Sequence, residues 1–576
     1  DRGALPSPQL SRPEQETAFA AATTPTEHVL VRIWTEILGI ESVGVDDNFF
    51  ELGGHSLLLT QVTSRVRETF QADLPLRALF EAPTIAGLGR RIDELRGAQP
   101  QIGECPITPA PRKGELPLSY AQERLWFLQE LEPDSPMYSV GAAVRLTGRL
   151  NLTALEQTLN EIVRRHEVLR TRFATVQDRR VQIIDSPGAH CLALVDLDAL
   201  SASDQEAESQ RLIRAEARRP FDLRRGPLLR SALLRHGQTA HVLLLTMHHI
   251  VSDGWSIGIL IHELASLYES LSAGRPSPLA DPPIQYFDYA QWERESIEGR
   301  VLERQLDYWK RQLEGIPETV LLPPDFRRPA RDSGRGAIEY VSVSKGLSDS
   351  LKHLSNSEGV TLFMMLFAAF NALIYKHTGQ RDILIGVPIA NRNRRETEGL
   401  IGFFANTIVL RTKIESDPTF LHLLEGVREA ALGAYAHQGL PFQKLIEELQ
   451  PTRGLRQTPL VQVVFTLQNA PSEALALSGL TLETEVLHNG TVKFDIVLNL
   501  WETDQGLRGW LTYNRELYKA ETIARLLSHY ERLLKNVVEQ PHARLSEIEV
   551  LSDEERTLLD KRIDLEEPGE SFSIRG

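Results

Sequence analysis

Apolar residues recur at helical spacing in three stretches near the start of the chain. The first stretch follows a Thr-Pro-Thr-Glu capping box at residues 24–27 and continues on one face as far as Gly39. The second begins at Ser56, and the third begins near Pro83. Each stretch has the apolar stripe of a helix that packs on one side. Residues 25–96 are therefore predicted to form a small helical bundle.

The pattern changes after this bundle. Residues 97–116 contain four prolines and little periodicity, which is typical of a linker. Beyond the linker, short apolar runs alternate with helical stripes, and this alternation predicts an α/β body. The predicted strands lie near 138–147, 181–184, 241–247, 382–388 and 460–467, and the predicted helices lie near 153–166, 205–218, 301–313 and 361–377.

Length and composition narrow the class of protein. A chain of 576 residues is long enough for roughly three to four units of about 150 residues. Its 63 basic and 78 acidic residues give a net charge of −15, which disfavours nucleic acid as a partner. Two cysteines, Cys105 and Cys191, supply neither a disulfide framework nor a metal site, as in cytoplasmic proteins. Without a signal peptide or a membrane-spanning apolar run, we expect a soluble protein with no membrane partner.

The sequence His248-His249-Ile-Val-Ser-Asp253-Gly254 lies where the predicted strand at 241–247 gives way to a helical stripe. Consecutive residues of a strand point to opposite faces, so the two histidines are expected to differ in role. Ser252 or Asp253 can cap the helix, and Gly254 eases the turn. On spacing alone, a buried histidine pair beside a capping aspartate is an equally good interpretation.

Ser56 follows a Gly-Gly turn and stands in the first turn of the second predicted helix. We expect its hydroxyl to be exposed near the positive helix end, where a phosphoester gains about 0.3 to 1 kcal/mol. The surrounding Gly-His-Ser-Leu-Leu differs from the Gly-x-Ser-x-Gly elbow of hydrolases, and His55 is expected to be solvated. These features favour a carrier of phosphate over a nucleophile, although an ordinary serine cap after a Gly-Gly turn is the default interpretation of these residues taken alone.

Residues 47–57 match the signature D-x-F-F-x-L-G-G-H-S-L, and residues 25–96 resemble a peptidyl carrier protein of nonribosomal peptide synthetases. The resemblance implies that Ser56 carries 4′-phosphopantetheine, which holds amino acids or peptides as thioesters. It also implies a phosphopantetheinyl transferase and an upstream adenylation domain that loads Ser56. A histidine at position 55 is similar to carriers that feed condensation domains instead of epimerization domains.

The larger body resembles a condensation domain over about 430 residues, through several dispersed motifs. The matching segments are 119–128, 165–173, 248–254, 286–292, 401–407 and 437–443. The sequence departs from the family at Gly439 and Gln443, and at 453–460, where only Arg453, Pro459 and Leu460 keep the usual pattern. The complete histidine pair argues against the cyclization variant, which carries aspartates there.

The resemblance implies a small four-helix carrier followed by a two-lobed, chloramphenicol acetyltransferase-like α/β body, a V-shaped pseudo-dimer. The ends of the chain resemble the tail of one adenylation domain and the approach to another. The expected division is 1–24 for the upstream tail and linker, 25–96 for the carrier, 97–116 for a linker, 117–290 for the N-lobe, 291–549 for the C-lobe and 550–576 for a linker toward a downstream adenylation domain.

The implied reaction is amide bond formation between a donor thioester on this carrier and the amine of an acceptor on a downstream carrier. In this reaction His249 orients or deprotonates the amine, and His248 is structural. Asp253 is expected to hold the loop through an arginine, with Arg392 as the candidate, while Gly254 leaves room for substrate. No metal site is indicated. The motifs are most similar to the subtype that joins an L-donor to an L-acceptor.

Two other functions fit the same residues. A non-catalytic scaffold would only hold tethered intermediates, because folds of this kind can lose their activity. An epimerase-type relative would act on a single tethered substrate. An epimerase changes one loaded aminoacyl group by itself, whereas a condensation enzyme requires an added amine, so the two are separable by experiment.

Overall fold

The computed structural model describes residues 19–97, 106–316, 322–329, 333–449, 460–468, 477 and 479–558. Residues 1–18 of the upstream tail predicted at 1–24, most of the linker before residue 106, the motif departures at 453–459 and the segment 559–576 lie outside these ranges. Two units are present in the described residues: a helical carrier at the start and an α/β body after it.

The carrier contains four helices, α1 (Pro25–Leu38), α2 (Ser56–Phe70), α3 (Leu76–Glu81) and α4 (Ile85–Gly97). The predicted capping box is present, because Thr24 accepts the Glu27 N–H while the Glu27 side chain accepts the Thr24 N–H. Gly39 ends α1 in the left-handed region, with a φ of 67°. Helix α3 was absent from the predicted pattern, since six residues are too few to show a stripe.

The helices of the α/β body are α5 (Tyr120–Leu131), α6 (Leu152–Arg165), α7 (Ala202–Ala217), α8 (Gly254–Ser272), α9 (Tyr286–Ser296), α10 (Gly299–Gln312), α11 (Lys345–Ser357), α12 (Leu362–Thr378), α13 (Arg395–Glu398), α14 (Phe420–Ala436), α15 (Phe442–Leu449) and α16 (Ala520–Glu539). The strands are β1 (Leu116–Pro117), β2 (Ser139–Gly148), β3 (Thr171–Val176), β4 (Arg179–Ile184), β5 (Leu192–Asp196), β6 (Leu229–Arg235), β7 (Ala240–His248), β8 (Gly336–Ser344), β9 (Asp382–Ile389), β10 (Asn406–Lys413), β11 (Val463–Gln468), β12 (Leu480–Val486), β13 (Ile496–Thr503) and β14 (Gly506–Asn514).

These strands form two main sheets, one in each lobe. The first lobe has a five-stranded sheet in the order β12-β2-β7-β6-β5, beside a small sheet β1-β4-β3. The second lobe has a six-stranded sheet in the order β10-β9-β11-β13-β14-β8. Strand β7 is buried along nearly its whole length, as its continuous apolar run predicts. The two-lobed α/β architecture that the resemblance implies is confirmed.

Strand β12 does not belong to the lobe in which its sequence position would place it. Residues 480–486 pair antiparallel with β2 of the first lobe, and the chain then returns to the second sheet at β13. The expected C-lobe at 291–549 therefore includes a strand of the first sheet. The expected division between residues 290 and 291 also falls inside helix α9. This crossover carries residues 487–495 past the end of β7.

Helix α12 is buried on every side from Phe363 to Ile374, and all of these residues except Asn371 are apolar, as in a helix that crosses the core of its lobe. Over the described ranges, no single helix has both the length and the apolar character needed to cross a membrane. Helices α11 and α12 meet that requirement only when taken together, and they are bent by 104° at their junction.

Candidate active site between the carrier and the two lobes

A cavity of about 860 Å³ lies between the carrier and the two lobes. The carrier contributes Ser56 to its lining, and the first lobe contributes His249 and Gly254 from the junction between β7 and α8. The second lobe contributes Tyr435 from α14, and the crossover contributes Lys493. The serine and the histidine that were singled out in the sequence therefore line one chamber, although they are far apart along the chain.

The backbone holds the His249 ring in one orientation. The backbone N–H of His249 donates to the Tyr138 carbonyl oxygen at 2.8 Å. Ring atom Nδ1 lies 2.7 Å from the Ser252 carbonyl oxygen. A carbonyl oxygen can only accept, so Nδ1 carries the proton of the neutral ring, and Nε2 is left as an acceptor. The Phe403 ring packs edge to face against the imidazole, with centroids 4.9 Å apart.

Burial, together with the nearby charge of Lys493, lowers the pKa of His249 to about 3, although Asp253 acts in the opposite direction. The ring is therefore neutral near pH 7, since a lowered pKa keeps the base form present above it. Because burial disfavours the charged form, the ring holds an added proton poorly, while Nε2 of the neutral ring can still accept a hydrogen bond. These properties favour the orienting role over the deprotonating one.

The His248 ring has different surroundings, because His248 ends strand β7 whereas His249 begins the short turn that follows it, so the expected alternation along one strand does not apply. It is buried, and its Nδ1 accepts the Ile250 N–H at 3.1 Å. The rings of Tyr138 and Phe221 lie nearby, with centroids 6.3 and 5.8 Å away. Burial, together with the nearby His249, lowers the pKa of His248 well below its usual value.

Both carboxylate oxygens of Asp253 are engaged in the loop that starts α8. Oδ1 accepts from the Ser256 N–H at 2.8 Å, which makes Asp253 the helix cap. Oδ1 also accepts from Arg392 at 3.2 Å, and Oδ2 accepts from the Phe404 N–H at 3.0 Å. The expected ion pair with Arg392 is thus present, and the carboxylate faces the protein interior.

Gly254 leaves open space beside His249. A methyl group at its α-carbon would meet no atom within 4 Å, and the residue lines the cavity. That Gly254 leaves room for a substrate stays a prediction. Its backbone does not lie in the left-handed region, so the helix start does not require glycine for a turn.

The expectation that the Ser56 hydroxyl is exposed is wrong, and so is the expectation that His55 is solvated. Helix α14 packs on the carrier, so Ser56 Oγ is buried beside the Tyr435 hydroxyl. Burial raises the pKa of Tyr435 to about 12, against an opposing effect of the Ser56 hydroxyl. Burial also lowers the pKa of His55 to about 4. Both corrections have one cause: the carrier is seated on the second lobe.

The chamber fits a group attached to Ser56. Ser56 lines the same cavity as His249, and its buried Oγ makes no hydrogen bond of good geometry with the described residues. Leu59, Leu76 and Phe80 of the carrier give the entrance apolar walls. A phosphopantetheine on Ser56 would lie between these walls, and its thiol would supply the thioester linkage for an acyl group.

Ion pairs hold the carrier on the second lobe. Arg65 of α2 donates to both oxygens of Glu398 at 3.0 and 2.8 Å, and both side chains are largely buried, with 12 and 17% exposure. The Glu398 carbonyl oxygen accepts from Trp255 at 2.9 Å, so this contact is tied to the start of α8. A second pair, between Arg77 and Glu429 at 2.8 Å, is exposed.

The sequence did not point to several residues of the site. Tyr435, Glu398 and Lys493 lie in no motif that was singled out, because their importance comes from contacts between units. A lysine between an apolar valine and phenylalanine at 492–494 is the only local signal for Lys493, and such a signal is weak.

The comparisons with known proteins agree with this geometry. The family model described as Condensation domain matches residues 112–559, and the model described as Phosphopantetheine attachment site matches residues 28–92. The first match covers more than half of the chain, so the chain belongs to the condensation domain family. Condensation domains are acyltransferase-type enzymes that form peptide bonds, and the carrier family holds 4′-phosphopantetheine covalently on a serine.

Relatives and solved structures support the same family. One chain of the linear gramicidin synthase of Brevibacillus parabrevis is 45% identical over 97% of this chain, and malpinin synthetase of Mortierella alpina is 41% identical over 97%. Each of these matches spans only 7% of the relative's own length. The complex of the X-domain and OxyB from teicoplanin biosynthesis matches with a TM-score of 0.71 and 28% identity, covering 78% of this chain and 99% of that one.

Proposed function

We propose that this chain joins a donor acyl group, held on Ser56, to the amine of an acceptor delivered from a downstream carrier. The observation that carries the proposal is that Ser56 and His249 line one cavity, with the carrier seated at its entrance. The reaction needs alignment more than strong base catalysis, and alignment contributes about 7 to 11 kcal/mol in well-oriented reactions.

His249 orients the attacking amine. An α-amine has a pKa of about 8, so part of it is already neutral at pH 7. The neutral amine donates a hydrogen bond to His249 Nε2, whose position is fixed by the Nδ1 contact with Ser252. His248 supports the end of β7, and Asp253 with Arg392 holds the start of α8, so His248 and Asp253 take no part in bond making.

The carrier position makes this chain a donor-side unit. An upstream adenylation domain loads Ser56 after a phosphopantetheinyl transferase has modified it, and the acceptor arrives from downstream adenylation and carrier domains. The expected domain limits at 25–96, 117–290 and 291–549 remain our proposal, with β12 as an exchange between the lobes. An L-donor and an L-acceptor are the proposed substrates, from the motif resemblance alone.

Two alternatives are tested by one experiment. Ser56 is loaded with an aminoacyl pantetheine, a small soluble amine or amino-thioester is added, and the carrier and products are followed by mass spectrometry. We expect the acyl group to move to the amine. A change of stereochemistry on the carrier without added amine would indicate an epimerase instead. Loading without either change would indicate a scaffold, and failure to load at Ser56 would contradict the carrier assignment.

Charge reversal tests the seating of the carrier. The Arg65→Glu variant replaces a largely buried bidentate pair with a repulsion toward Glu398, which costs about 1.5 to 3 kcal/mol of docking free energy. We expect transfer from loaded Ser56 to slow by roughly 10- to 100-fold, while Ser56 loading stays normal. Combining Arg65→Glu with Glu398→Arg should recover much of the rate.

The matched control is Arg77→Glu, which breaks an exposed pair with Glu429 in the same interface. Exposed pairs contribute about 0 to 1 kcal/mol, so its effect on transfer should stay within about fivefold. Equal effects of the two reversals would show that Arg65 has no special part in seating the carrier.

A further inference from the structure

Lys493 lies in the reaction chamber without belonging to any of the motifs. It lies in the crossover segment between β12, which pairs with β2 of the first lobe, and β13 of the second lobe. Its ammonium group lies 4.7 Å from the centre of the Tyr138 ring, and the Tyr138 carbonyl oxygen accepts the His249 N–H. Lys493 and His249 therefore both contact Tyr138 and line the same cavity.

Lys493 also acts electrostatically on the two histidines. The positive charge of Lys493 lowers the pKa of both His248 and His249. Burial, together with the charge of Arg124, lowers the pKa of Lys493 itself to about 8. This pKa lies close to the ordinary pKa of a thiol, which is about 8.5. A lysine with such a pKa can therefore give its proton to a thiolate near neutral pH.

We propose that Lys493 is a second catalytic residue of the chamber, which stabilises and protonates the thiolate that leaves as the amide forms. This inference rests on the proposed function. The amine nitrogen attacks the thioester carbon and forms the C–N bond, and the carbonyl electron pair moves to oxygen. When that pair returns, the C–S bond breaks and sulfur keeps the bonding electrons.

Sulfur then takes a proton from the Lys493 ammonium group. The neutral Lys493 amine receives the proton that the new amide nitrogen must lose, so lysine ends the cycle as it began. The net change is one amide and one thiol from one thioester and one amine. No oxidant, reductant or further reactant is needed. His249 orients the amine throughout and does not store the proton, in keeping with its very acidic conjugate acid.

Several other charged groups surround the chamber. Those that act electrostatically on Lys493 or on the two histidines are Arg124 of α5, Arg230 of β6 and Asp253 at the start of α8. Arg392 and His488 also line the chamber. Arg392 donates to Asp253 and Ser256 through one nitrogen and to Leu400 through another, so its guanidinium is engaged in the loop.

The test uses free thioesters and the protein with Ser56 unmodified, so that carrier loading plays no part. One acyl group is supplied either as an N-acetylcysteamine thioester or as a thiophenol thioester, with the same amine. An aryl thiolate leaves readily without a proton, whereas an alkyl thiolate gains from one. We expect Lys493→Met to slow the alkyl thioester by on the order of 10² to 10⁴-fold and the aryl thioester by less than about tenfold.

The pH dependence gives an independent readout. The amine substrate ionises equally in both reactions, so its effect cancels when the wild-type rate is divided by the Lys493→Met rate. Because Lys493 loses its proton above a pKa of about 8, this ratio should be large at pH 7 and fall toward one by about pH 10. Lys493→Arg keeps a charge at all these pH values, so it should slow the reaction less than the methionine variant at pH 7.

Lys519→Met is the control, because Lys519 also lies over an aromatic ring, at 5.6 Å from Phe326, but does not line the chamber. It should leave both rates unchanged. Equal losses with the two thioesters in Lys493→Met, or a rate ratio independent of pH, would overturn the role of Lys493 and leave the proposed function standing. No wild-type rate above background with either thioester would overturn both.

Discussion

Replacing His249 with alanine is expected to lower the rate of transfer from loaded Ser56 by about 10² to 10⁴-fold. The variant removes the acceptor nitrogen that orients the amine, while the chamber keeps its shape because the backbone N–H still donates to Tyr138. Single-turnover transfer to a soluble amine, followed by mass spectrometry, measures this loss. Ser56 loading should be unchanged, since Ser56 belongs to the carrier and His249 to the first lobe.

A glutamine at position 249 separates the two roles that the sequence left open. Its amide oxygen can accept a hydrogen bond but cannot take up a proton. If His249 orients the amine, His249→Gln should retain more of the rate than His249→Ala. Because the wild-type ring stays neutral above a pKa of about 3, no rate inflection near the ordinary histidine pKa of about 6.5 is expected from it. Such an inflection, lost in the alanine variant, would favour a general base instead.

His488→Ala is the matched control for these variants. His488 lines the same cavity and packs edge to face on Trp510, with centroids 5.9 Å apart. It makes none of the backbone contacts that fix His249, so its removal should leave the transfer rate nearly unchanged. An equal loss in both alanine variants would mean that any change in the chamber wall slows the reaction.

The helices were largely predictable because their signals are local. The capping box at 24–27 and the stripe that starts at Ser56 placed the starts of α1 and α2 within a residue or two of their observed positions. The crossover of β12 was not predictable in this way. Its seven residues pair with β2, which is distant in sequence. The alternation of apolar and polar residues within one strand does not indicate which other strand pairs with it.

The same distinction applies to the site. The motif residues His249 and Asp253 could be singled out because their spacing in one short segment is itself the signal. The surroundings of Ser56 could not, since a serine at a helix start is normally exposed and only the seating of the carrier buries it. Lys493 owes its low pKa to burial between lobes, and this property exists only once the chain has folded.

The second large effect is expected at Asp253, and it is an effect on folding. The Asp253→Ala variant leaves the guanidinium of Arg392 buried without its counter-charge, which destabilises proteins by about 3 to 5 kcal/mol. Burial already lowers the pKa of Arg392, and Asp253 is the main group that opposes this shift. Urea unfolding followed by tryptophan fluorescence should therefore show a large fall in the free energy of unfolding.

Two further variants divide this loss into its causes. Ser201→Ala removes a helix cap of the same kind from the exposed start of α7, where no buried arginine depends on it, and should cost about 1 kcal/mol. Asp253→Asn keeps an oxygen for the Ser256 N–H but loses the charge, so its loss should lie between the two. If Asp253→Ala cost no more than Ser201→Ala, the ion pair would contribute little. The loop beside His249 would then depend on the cap and on the Phe404 contact instead.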